Sequence, residues 1–180
     1  IIYNSAAIYM GPSPATGNHR SSGASGNNLV VQVPRAISFD YGTTVNRQNI
    51  NILGRLAEIG REIVDPPEAS FNFTYYDINA YTESGMGFIV DGTVSAFSGL
   101  INGTRDSRNF FVLLAPTEED AIGNVSADTE FFSLGFGNGF INSYVARGAV
   151  GGIPECTVGV EALNMRIDQN RTGIQIPAIN

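Results

Sequence analysis

The sequence predicts an all-β domain, a sandwich or barrel with one short flanking α-helix and one long flexible loop. Three observations predict it. The chain of 180 residues is rich in Gly (21), Phe (11) and Tyr (7). Its charged fraction is only 15%, against roughly 25% in ordinary soluble domains. Its apolar residues recur mostly with period two, and a helical period is confined to one short stretch. The length suits one domain with a real core, so residues 1–180 read as a single unit with no repeat and no linker.

Taken in order, the first distinct feature is the segment Gly11 to Asn28, GPSPATGNHRSSGASGNN. Its Gly, Ser, Pro and Asn favour turns, and it is long for a connection inside a compact domain. We read 11–28 as a flexible loop. Asn28 to Thr44 carries two short strand runs, LVVQV and AISFDYGTT, with Pro34 between them. Proline cannot donate to a ladder, so it marks an edge, a kink or a bulge. Asn49 to Arg61, NINILGRLAEIGR, places Ile50, Leu53 and Ala57 on one side, an amphipathic helix pattern. Gly54 weakens that helix and Gly60 suits its C-cap.

Pro66-Pro67 then bars helix before the strand Ala69 to Ile78, in which Phe71, Phe73 and Tyr75 alternate with Asn72, Thr74 and Tyr76. Arg108 to Ala115, RNFFVLLA, is a continuous apolar run suited to a buried strand. Pro116 to Ile122 reads as one or two helical turns, with Thr117 as N-cap. Thr129 to Leu134 and Gly139 to Arg147 read as a hairpin about Gly135-Phe-Gly-Asn-Gly, where Asn138-Gly139 suits a tight turn with positive φ. Glu155 to Asp168 is the longest alternating run. Cys156, Val158, Val160 and Ala162 fall on one face, and Glu155, Thr157, Gly159 and Glu161 on the other.

Charge and cysteine count exclude several classes. With 17 acidic and 10 basic residues the net charge is −7. The basic residues are scattered, which argues against tight duplex binding. One Cys excludes a disulfide framework and a thiolate metal cluster. No apolar run reaches the length of a membrane span, so no membrane partner is expected. The N-terminal stretch lacks the basic region of a standard signal peptide.

No catalytic constellation stands out. His19, the only histidine, sits in the Gly/Ser-rich segment with nothing to fix it. Cys156 reads as a small buried hydrophobe. Glu118-Glu119-Asp120 lacks calcium-loop spacing and reads as an acidic helix start. GFGNGF at Gly135 to Phe140 fails the dinucleotide pattern, because Phe stands at 140 and no βαβ unit surrounds it. The sequons at Asn72, Asn102, Asn124 and Asn170 carry no weight without secretion. We therefore expect no catalytic, cofactor-binding or metal-binding residue, and no cofactor. The second face of the long strands holds Ser, Thr, Gly, Asn and a few acids, which suits a water-filled, mildly negative lumen shared by several subunits.

One resemblance joins these features. Ala36 to Phe73 holds a strand, an N-R-x-x-x-x-x-L-G-R-L segment, and a Pro-containing turn into F-x-F-x-Y-Y. RNFFVLLAPTEEDA and the run G-x-V-G-x-x-P-x-x-x-V-x-x-E-x-L-N follow. Together they resemble the tail tube (major tail) proteins of tailed bacteriophages. The resemblance implies a β-barrel or sandwich subunit, homohexameric rings stacked into a tube, and contacts with other tail proteins. It also implies a virion location after assembly in the host cytoplasm, with the genome passing through the lumen without specific binding. Leu29 to Thr44 and Glu155 to Asp168 would then help build the inner sheet, and Gly11 to Asn28 or Asp77 to Gly92 would be a stacking arm. Two other readings stay open. One is a β-sandwich binding module, such as a baseplate, head-decoration or carbohydrate-binding protein, using Tyr75, Tyr76 and Tyr81. The other is a hydrolase using two carboxylates.

Overall fold

The computed structural model describes residues 5–12, 31–50, 53, 60–63, 65, 67–101, 107–115, 121 and 131–170, with backbone alone at 12, 131 and 168–170. Its main element is a seven-stranded antiparallel sheet that curls into a half-barrel. The strands are β1 (Ala6–Pro12), β2 (Val31–Gln32), β3 (Ala36–Thr44), β4 (Arg47–Ile50), β5 (Gly60–Ile63), β6 (Glu68–Tyr76), β7 (Ser107–Leu114), β8 (Phe131–Arg147) and β9 (Glu155–Asn170). The sheet order is β2-β1-β7-β8-β9-β6-β3, and β4 pairs with β5 in a separate ribbon. Helices α1 (Tyr81–Met86) and α2 (Ser98–Ile101) lie between β6 and β7 in sequence. Among the described residues no helix is long and apolar enough to cross a membrane.

Period-two alternation builds the core. Phe71, Phe73 and Tyr75 of β6 stand opposite Val160, Val158 and Cys156 of β9, and all six are at most 1% exposed. The Phe71 ring stacks on Phe136 at 4.7 Å and on Phe73 at 5.5 Å, and meets Phe110 at 5.8 Å. Burying one such ring contributes about 1.5–3 kcal/mol. At the β1–β7 end the opposite face is also buried. Tyr9 pairs with Phe111 and Ala7 with Leu113, and the Tyr9 hydroxyl donates to the Ala121 carbonyl at 3.3 Å.

Three expectations change. The segment 49–61 is not helical at its ends: Asn49 and Ile50 belong to β4, and Gly60 and Arg61 to β5. Backbone pairing of Asn49 with Arg61 and Ile50 with Gly60 outweighs a short, Gly-interrupted helical pattern, and Gly60 opens a strand rather than capping a helix. Apart from Leu53, the interior of that segment lies outside the described residues. The hairpin at Asn138-Gly139 is absent, because β8 runs unbroken through it. Asn138 does take positive φ, 50°. One left-handed residue makes a bulge here, whereas the type I′ turn that Asn-Gly favours needs two. The register between β7 and β8 shifts there, and the Asn138 N–H donates to Asn109 Oδ1 at 2.9 Å. The real reversal between β8 and β9 is at Ala149–Gly152, where Gly151 has φ 82° and the Gly152 N–H donates to the Ala149 carbonyl. The loop assigned to 11–28 starts later, since Gly11 and Pro12 end β1. Its remainder through Asn28 lies outside the described residues, as do His19, residues 116–120 and Ile122.

Within the Asp77 to Gly92 segment, α1 and Phe88 pack on the sheet, and Ile78, Tyr81 and Val90 are exposed. Helix α1 buries Thr82, Glu83 and Met86. Its approach to β1 is so close that a Cβ on Gly85 would overlap the end of Met10. Asp77 Oδ1 accepts from the Ala80 N–H at 3.4 Å, and Gly87, with φ 107°, closes the helix in the left-handed conformation.

Candidate assembly face and a buried polar cluster

The uncovered side of the sheet spans β3, β6, β9 and β8. Strand pairing lines up its residues in rows. Ser38, Thr74, Thr157 and Val145 form one, and Asp40, Asn72, Gly159 and Ser143 the next. Gly42, Ser70, Glu161 and Phe140 form the third. Thr44 and Glu68 continue the face on the first two strands, and Tyr76, Glu155 and Arg147 flank it at the other end. The three full rows hold two carboxylates, Asp40 and Glu161, and no basic residue. Thr74 and Thr157 bond across strands through their hydroxyls at 3.2 Å, and Ser70 Oγ reaches the Gly42 carbonyl at 3.5 Å. Gly159 leaves room on this face. A Cβ on it would lie 2.4 Å from Ser143 Oγ and 2.6 Å from Asn142 Oδ1, so its bareness lets polar side chains close over the strand.

Among the described residues this face is bounded by open strand edges. β3 is the last strand of the sheet, and most of its residues are exposed. β6 covers β9 only as far as Ala162, so Leu163 to Asn170 overhang on that side. β7 covers β8 only as far as Phe140, so Ile141 to Arg147 overhang on the other. Large apolar side chains stand exposed along these edges: Ile37 and Tyr41 on β3, Leu163 and Ile167 on β9.

A different cluster lies inside, where α1 meets β6, β8 and β9. Glu83 Oε1 accepts from the Tyr75 hydroxyl and, at 2.9 Å, from the Tyr144 hydroxyl. Tyr144 also bonds Cys156 Sγ at 3.3 Å. Burial first, and then the bond to Glu83, push the Tyr75 hydroxyl far above its ordinary value of 10.0. Burial and the bond to Cys156 do the same for Tyr144. Both remain neutral donors, as a buried carboxylate acceptor needs. Sequence reasoning missed Glu83, and the one signal for it was an acid in an otherwise neutral stretch.

The residues considered for a carbohydrate platform are not brought together for that role. Tyr75 is 1% exposed and Tyr81 is 51% exposed, so the three tyrosines do not offer one open surface. Cys156 is buried as expected, but bonded rather than inert. Asn72 lies on the exposed face of β6.

No protein-family model matches the chain, and no curated protein matches it by sequence. Solved structures do match. The SPP1 tail tube aligns at a TM-score of 0.50 and 12% identity, over 92% of this chain and 77% of that one. The virion of a native gene transfer agent particle aligns at 0.45 and 10% identity, over 78% and 88%. The anti-feeding prophage baseplate aligns at 0.47 and 7% identity, over 93% and 94%. The likeness to the SPP1 tail tube is one of fold: this chain has the predominantly β architecture of a tail tube subunit.

Proposed function

We propose that this chain is a self-assembling structural subunit of a phage-type tail tube, not an enzyme. Copies join through their open sheet edges into rings, homohexameric by the family resemblance. The rings stack, and the polar face lines a channel. The carrying observation is the four-strand uncovered face, small, polar and acidic, bounded by unpaired edges and set on the fold of the SPP1 tail tube. A face lined mostly by small and polar side chains gains little from burial. An exposed edge, by contrast, is a template for another strand.

The acids give the channel its use. Asp40, Glu68 and Glu161 repeat around any ring, and their field acts over about 8 Å at physiological salt. A polyanion moving through is repelled from the wall rather than held, so a genome passes without specific binding. The partners are then further copies of this chain and other tail proteins. The location is the virion, after assembly in the host cytoplasm. Negative-stain microscopy and mass photometry of the purified full chain test this. Rings or tubes with a central channel are expected, and a strictly monomeric species at high concentration overturns it.

A further inference from the structure

We propose that Asp77, Glu83 and Cys156 form a binding site for a thiophilic divalent cation of the zinc class. One carboxylate oxygen from each acid and the Cys156 Sγ lie within 4.8 Å of one another. They come from three elements: the loop after β6, the helix α1, and the first turnward residues of β9. Glu83 and Cys156 are buried and Asp77 is half-buried, so Asp77 is the side from which an ion enters.

A second observation points to a missing partner. Glu83 is 7% exposed, and its Oε1 takes both tyrosine hydroxyls. Among the described residues its Oε2 is buried with no hydrogen-bond partner. A buried carboxylate oxygen left unpaired keeps the full cost of its desolvation. A cation placed among the three groups would satisfy it.

The donor set selects the ion. Tetrahedral zinc takes thiolate at about 2.3 Å and carboxylate oxygen at about 2.0–2.2 Å, which puts neighbouring donors roughly 3.5 Å apart. The half-buried Asp77 supplies the small inward movement this needs. Three protein ligands leave a fourth position for water. Mg²⁺ and Ca²⁺ are disfavoured, because they take six or more oxygens and thiolate is a soft ligand. On binding, the Cys156 S–H bond breaks, an S–metal bond forms, and the proton leaves to solvent. Tyr144, within reach of both Sγ and Glu83, then donates to whichever carries more charge. The site is independent of the proposed assembly role and is tested apart from it.

The experiment uses the purified full chain, stripped with a chelator and titrated with CoCl₂ and with ZnCl₂. One Co²⁺ per chain, with a near-ultraviolet thiolate-to-metal band, and a thermal midpoint raised by Zn²⁺ but not by Mg²⁺ are expected. Cys156→Ala removes the band. Asp77→Asn, at a half-exposed position that the core does not need, keeps the fold and weakens Co²⁺ at least tenfold. A folded wild-type chain with no thiolate band and no Zn²⁺ shift overturns the proposal, and so does an Asp77→Asn variant that binds like wild type.

Discussion

Replacing Gly139 by alanine separates two accounts of the same dipeptide. As half of a tight turn, Gly139 is needed for positive φ. In the structure it lies mid-strand in β8 and is needed for space. A Cβ there would sit 2.6 Å from Val160 Cγ1, 3.1 Å from the Arg108 carbonyl and 3.2 Å from Phe110 Cδ2. Carbon atoms pack at about 3.5–4.0 Å, so the methyl is roughly 1 Å too close to Val160, and the β7 backbone blocks its retreat. Overpacking of this kind costs about 1–3 kcal/mol, or roughly 2–12 °C of midpoint at this chain length. Val160→Ala removes the clashing methyl. Alone it costs about 2 kcal/mol, from two lost methyl groups and the cavity they leave. With Gly139→Ala the two should couple, the double variant being more stable than the sum by about 0.5–2 kcal/mol. Urea unfolding of the four chains of this cycle measures it. A neutral Gly139→Ala, or strict additivity, refutes the packing account.

Three further outcomes follow. Gly99→Ala puts a Cβ 1.9 Å from the Gly87 carbonyl oxygen, a backbone atom that cannot yield. It should cost about 3 kcal/mol or more, while Gly60→Ala, with nothing within 4 Å, stays within about 0.5 kcal/mol of wild type; thermal unfolding compares them. The raised Tyr75 hydroxyl keeps its proton in the folded chain after the unfolded chain has lost it near pH 10. Its contribution is full below that pH and falls by about 1.4 kcal/mol per pH unit above it; a Tyr75→Phe chain with an unchanged alkaline slope contradicts this. Cys156 is the only cysteine and is buried, so Asp40→Cys adds one reactive thiol on the polar face. A bulky maleimide should label it quickly in dissociated subunits and at least tenfold more slowly in tubes, and equal rates would place that face outside.

What was legible from sequence was whatever one strand decides alone. AISFDYGTT is β3 residue for residue. The alternation of Phe71, Phe73 and Tyr75, and of Cys156, Val158, Val160 and Ala162, named the core that forms. The polar face was legible for the same reason, as the other half of that alternation. What was missed depends on partners. β8 is a single strand because β9 accompanies it from Phe131 to Arg147, and no local signal at Asn138-Gly139 reports that. Helix α1 has six residues and no side-chain cap, too short for a period to appear. The Glu83 cluster joins Glu83 to Tyr75, eight residues away, and to Tyr144, sixty-one away, so only folding brings it together.

The low charge and the acidic excess divide along this architecture. Among the described acids, Asp40, Glu68, Glu155 and Glu161 lie on the uncovered polar face, Glu83 lies in the core, and Glu62, Asp65, Asp77 and Asp91 lie off the seven-stranded sheet. The exposed apolar side chains largely avoid that face. Ile37 and Tyr41 stand on the edge strand β3, Ile167 far along the β9 overhang, and Val150 and Ile153 in the turn between β8 and β9. The exceptions on the polar side are Phe140 and Val145, on β8 where β7 ceases to cover it, and Leu163, on β9 just past the end of β6; each stands at an edge. Soluble monomers guard such edges with charge, proline or a covering loop. Here large apolar side chains stand along the edges, while Asp40, Glu68, Glu155 and Glu161 lie across the sheet from the core. That partition costs an isolated subunit solubility. It suits a chain whose edges are met by copies of itself and whose polar face stays wet.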